Sequence, residues 1–239
     1  MLKHFFSFDV ESAGILGVAF AVGWVVVNEN GTELEDGYLA CPLDPRVPAH
    51  DLQWVQEHVL PTLPVFQHDS PLPSYANCEG VIAMTGRFWD AWLEAKQKYA
   101  DLVMVTDCPF PVEAKFLFGA VVARKLAMND LPYPVIDVSS VLLAADRDPT
   151  GAYERKENEM PAHNPVHDAR QSARLLIETL NTLCCRSAVS IPSPFDVDPE
   201  TQTGTITYHD SGWFGVDTLS AETTTDALDT SESDDPFKK

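Results

Sequence analysis

Three strand-like segments in unbroken succession open this chain, and few architectures accept that start. Lys3 to Val10 is rich in Phe and Val, and Ile15 to Asn28 is a β-branched and aromatic run broken by Gly17 and Gly23. Asn30-Gly31 then gives the strongest short-range hairpin signal, and Thr32 to Ala40 returns. Segments joined this tightly pair antiparallel. Beyond them the signals alternate. Helices are predicted over Asp51–Leu60 (Asp51 as N-cap, Pro61 as stop), Glu79–Ala100, Val112–Met128, Val138–Ala145 and Asp168–Cys185. Short apolar strands fall at Leu102–Thr106 and Val135-Ile136. The prediction is an α/β domain: three N-terminal antiparallel strands and shorter parallel ones in a mixed sheet flanked by helices.

The chain of 239 residues has room for one medium domain and an appendage. The character changes after Arg186. Residues 187–239 hold 11 acids and two lysines, with much Thr and Ser, and read as a weakly ordered acidic tail on a domain spanning 1–186. Overall, 16 Lys and Arg face 36 Asp and Glu, a formal charge of -20. That excludes a duplex binder driven by basic residues, but not an enzyme that meets phosphates through bound metal ions. Five cysteines form no C-x-x-C pair and read as buried free thiols of a reducing compartment. Asp9 follows the start too soon for a signal peptide, and Ile15–Val27 is too short for a membrane span. The expectation is a cytoplasmic protein without a membrane segment.

Carboxylates carry the chemical signal. Asp9 and Glu11 are two apart on a predicted strand, so both point to one face, between Phe and Val neighbours that argue for a buried strand. Two acids there repel unless a cation lies between them. Asp107 ends the Leu102–Thr106 strand, where α/β folds gather ligand groups. His163 lies between Pro161 and Pro165, and Asp168 opens the last helix, giving H-x-x-x-x-D with His167 as a neighbouring decoy. An N-cap role for Asp168 and a dipole role for Glu113 are the bland alternatives.

In this order the residues resemble the DEDD superfamily of 3′-to-5′ exonucleases, in its histidine-bearing branch, over about residues 4–185. Asp9 and Glu11 match the first motif, Asp107 the middle one, and His163 with Asp168 the last, followed by Asp168-Ala169-Arg170-x-x-Ala173-Arg174. Trp54-Val55-Gln56-Glu57-His58-Val59-Leu60-Pro61 is also similar to a small bacterial 3′-to-5′ exoribonuclease subgroup. The middle motif departs from the family, with proline after Phe110, so Glu113 is the alternative third acid. Asp107 keeps the residue type and the strand-end position.

The resemblance implies a ribonuclease-H-like fold and an exonuclease. Two Mg²⁺ or Mn²⁺ ions would be held by Asp9, Glu11, Asp107 and Asp168, with His163 as general base. The expected partner is single-stranded nucleic acid with a free 3′ end, RNA favoured, and a homodimer is common in the family. Phe110, Trp54 or Trp89 could stack bases, although helical spacing makes the tryptophans core or dimer residues. An exodeoxyribonuclease and an inactive ribonuclease-H-like binding module are the alternatives.

Overall fold

The computed structural model describes residues 4–67, 71–124 and 130–187. These belong to one unit of the chain, Met1–Ser190. The expected acidic tail, with its Ile206-Thr207-Tyr208 and Gly212-Trp213-Phe214 segments, lies outside the described residues.

Five strands form one mixed sheet in the order β3-β2-β1-β4-β5: β1 (His4–Ser12), β2 (Ala19–Asn28), β3 (Glu33–Ala40), β4 (Leu102–Thr106) and β5 (Val135–Asp137). The first three pair antiparallel, while β4 and β5 join β1 in parallel. This is a ribonuclease-H-like sheet. The β2–β3 turn closes as the sequence predicts, with Gly31 at φ +79° and the Asn28 side chain accepting from the Asn30 and Thr32 amides.

Alternation along β1 sorts its side chains into two cores. Phe6, Phe8 and Val10 face α1 (Ala49–His58), α2 (Val81–Lys98) and α3 (Val112–Arg124), where Phe88 meets Phe6 and Phe116 edge to face. Phe5 faces α4 (Val138–Ala144) and α5 (Pro165–Ser187), beside Leu142, Ala169, Ala173 and Leu176. Asp9 and Glu11 share the face of Phe5, so they look toward the start of α5. Among the described residues no helix is long and apolar enough to cross a membrane.

Four expectations need correction. Ile15 to Val18 is not strand: a turn closes from the Gly17 amide to the Gly14 carbonyl at 2.8 Å, and Ile15 and Leu16 stand exposed. Asp51 is not an N-cap, because α1 starts earlier, after Pro48, and takes Asp51 into its first turn. Helix α5 also starts earlier, since the Asn164 side chain accepts from the Val166 and His167 amides and takes the capping role. Cys41 and Cys78 are buried free thiols, but Cys108 and Cys184 are exposed. The expected end of α3, at 125–128, and the side chain of Cys185 lie outside the described residues.

Candidate active site

The site gathers at the C-terminal ends of β1 and β4. A bulge between Glu11 and Ser12 ends the regular β1–β2 pairing, a common device beside active sites. Directly across from Asp9 in the ladder stands Gly23. A Cβ there would lie 2.3 Å from the Val166 nitrogen, so only glycine lets the start of α5 rest on the sheet. That close approach sets Asp168, in the first turn of α5, over the β1 carboxylates.

Every acid singled out in the sequence reaches this place. Asp9 feels Glu11, Asp168, Glu113 and Asp107, and burial followed by those four repulsions pushes its carboxyl well above the usual range. Glu11 is pushed up to about 8 by burial and then by Asp168 and Glu113. Both candidates for the third acid stand here. Glu113 is buried, accepts the Val10 amide, and is pushed up to about 7, chiefly by burial. Asp107 is more open; Ser139 Oγ donates to its Oδ1 at 3.3 Å, and burial of the carboxyl raises its pKa. Asp168 is also raised by burial, against the pull of Arg155, whose Nη1 lies 2.5 Å from Oδ1.

His163 completes the cluster, with one ligand-type atom each from Glu11, His163 and Asp168 lying within 4.8 Å of one another. Its backbone is in the left-handed region at φ +62°, held there from both sides. The His163 amide donates to Asp168 Oδ2 at 3.0 Å, and Thr62 Oγ1 donates to its carbonyl at 2.7 Å. Asn164 Nδ2 adds a bond to the Thr62 carbonyl at 2.8 Å. The loop backbone is therefore anchored rather than free to swing, and His167 turns away to the Pro161 carbonyl.

Trp54 and Trp89 part company. Trp89 is fully buried, but Trp54 is 43% exposed and sets its ring edge against His163 at 5.2 Å while stacking on His58. With Ile15, Gly14 and Glu11 it lines a depression of about 300 Å³. A larger apolar cavity of about 490 Å³ adjoins it past Ser12 and Val112, but its lining includes none of the clustered acids. Sequence reasoning named Trp54 only as a possible stacking residue with a core or dimer role favoured, and missed Thr62, Asn164, Gly23 and Arg155 as parts of the site.

Hard carboxylate oxygens that repel one another at this density fit a divalent cation of the Mg²⁺ or Mn²⁺ kind. The cluster also sets a stability profile. Its acids bind protons more tightly folded than unfolded, so their contribution to stability is greatest below about 4.5 and is lost as pH rises toward 8. In EDTA, the melting temperature is expected to fall from pH 6 to pH 8 by roughly 5 °C or more, with Mg²⁺ restoring much of the loss at pH 8. A melt that rises over this range would show the acids are not crowded.

No protein-family model matches the sequence, and no curated protein matches it. Among solved structures, the chain is similar to a moderately thermophilic exonuclease I from Methylocaldum szegediense, at TM-score 0.49 and 10% identity over 78% of this chain and 41% of that one. It is similar also to E. coli exonuclease I in complex with a 5cy-dT13 oligonucleotide, at TM-score 0.46 and 11% identity over 79% and 41%. The chain spans about two fifths of the length of these structures.

Proposed function

We propose that this chain is a metal-dependent 3′-to-5′ exonuclease, its activity seated in residues 1–186, that hydrolyses single-stranded nucleic acid, RNA favoured, to 5′-nucleoside monophosphates. The observation that carries this reading is the meeting of Asp9, Glu11, Glu113, Asp107 and Asp168 with His163 at one end of the sheet. Asp9, Glu11 and Asp168 are the residues that would hold a first ion. Asp9 would share a second with Glu113 directly and with the more open Asp107 through water. Bound there, divalent ions supply the positive charge that stabilises the attacking and leaving oxygens of a phosphodiester.

The chain's own groups do the rest. His163 takes the proton from the attacking water. The bonds from Thr62 and Asp168 fix the backbone under that ring. Trp54 offers an exposed aromatic face for a terminal base, next to Ile15 and within the depression that reaches Glu11. A surface with so few Lys and Arg suits short single strands better than a long duplex.

Digestion of 5′-labelled single-stranded RNA and DNA with Mn²⁺ tests this reading. A ladder shortening one nucleotide at a time from the 3′ end, faster on RNA, is expected. Faster loss of DNA would indicate an exodeoxyribonuclease, and no release from either would leave an inactive binding module. Under the same conditions Glu113→Gln is expected to cost at least about tenfold more than Asp107→Asn, because Glu113 presses on both Asp9 and Glu11. The reverse order would make Asp107 the direct ligand.

A further inference from the structure

Between α4 and α5 the chain makes a polar loop whose construction the acids above do not explain. The Glu159 side chain is buried in it, taken by Arg174 Nε at 2.6 Å and Nη2 at 2.8 Å, and by the Lys156 amide at 2.9 Å. Arg174 Nη2 also donates to the Glu154 carbonyl at 2.9 Å, and Gln171 Nε2 to the Tyr153 carbonyl at 3.2 Å. The loop is thus strapped to α5, the helix that carries Asp168. What it presents is Arg155. Nη1 of Arg155 donates to the Glu159 carbonyl at 3.0 Å and to Asp168 Oδ1 at 2.5 Å. The other Asp168 oxygen is already held by the His163 amide at 3.0 Å.

A guanidinium so placed holds the carboxylate oxygen that a metal ion would take. It carries one positive charge into a cluster of acids, less than a divalent ion brings. Both cannot take Oδ1 in the same way, and each weakens the other through like-charge repulsion. We propose that Arg155 is the resident counter-cation of the site: it pairs with Asp168 Oδ1 in the metal-free protein and is displaced from that oxygen when a divalent ion binds. Arg155 is then a positioning residue that keeps Asp168 aimed and sets a lower metal affinity than the bare acids would give. The inference rests on the metal-site reading above.

Mn²⁺ titration of the full chain by electron paramagnetic resonance tests it, comparing wild type, Arg155→Met, Arg155→Lys and Asp9→Asn at low ionic strength. Arg155→Met is expected to bind Mn²⁺ about tenfold tighter, with Arg155→Lys between it and wild type. A purely structural role predicts the opposite sign, so equal or weaker binding by Arg155→Met overturns the proposal. If wild type binds and Asp9→Asn does not while Arg155→Met matches wild type, only the role of Arg155 fails. If wild type binds no Mn²⁺, the metal reading fails and takes this inference with it. Should Arg155→Met not fold, the Arg155 side-chain Nε–H resonance of wild type decides: it should move as Mg²⁺ saturates the site, and an unmoved signal overturns the displacement.

Discussion

Replacing Asp9 by Asn is expected to stabilise the protein and to disable it at once. Asp9 sits amid Glu11, Asp168, Glu113 and Asp107, and both its burial and their charges oppose its ionisation. Asparagine keeps the shape and removes the charge. Relief of that crowding should raise stability near pH 8 by roughly 1–3 kcal/mol, on the scale of one uncompensated buried polar group. Melting would then rise by about 3–10 °C in metal-free buffer. The same change removes the carboxylate shared between both proposed ions. Mn²⁺ binding should vanish and turnover should fall at least about 10³-fold, the loss of several kcal/mol of charge stabilisation. Calorimetry in EDTA and a Mn²⁺ titration read the two effects separately. A variant that melts below wild type and still binds Mn²⁺ would remove Asp9 from the centre of the site.

His163→Ala should separate chemistry from metal binding. The histidine lies against Glu11 and Asp168, yet its proposed task is to accept a proton, which contributes about 10²–10⁴-fold to such reactions. Turnover is expected to drop by that factor while Mn²⁺ affinity stays within about twofold of wild type. Loss of Mn²⁺ binding would instead make His163 a ligand, and an unchanged rate would leave it no part in the reaction.

The strand framework and the acids were legible because each rests on local pattern. The Phe and Val alternation around Asp9 and Glu11 defines a strand with one face charged, and the strand-end position of Asp107 needs no partner to be noticed. His163 and Asp168 announce themselves by spacing. The supporting residues carry no such mark. Trp54 stands beside the buried Val55 in α1, so an aromatic turned to the site looks like one turned to the core. Arg155 stands among Glu154, Lys156, Glu157 and Glu159 with no spacing that singles it out, and only the Glu159–Arg174 strap reveals where it points. Ile15 and Leu16 belong to an apolar run by composition, yet the turn between Gly14 and Gly17 lifts them out of the sheet.

The bare Cα at position 23 has a consequence for how this site can be lost. Since Val166 leaves no space for even a methyl group, the interval between sheet and helix is the tolerance on which Asp168 depends. Five acids and a histidine could all persist in a descendant that acquired alanine there, and motif inspection would pass it as intact. Such a molecule would still fold around its aromatic interior while its last carboxylate stood out of reach of the others. Position 23, chemically silent, is thus a better gauge of a working descendant than several of the residues proposed to do the chemistry.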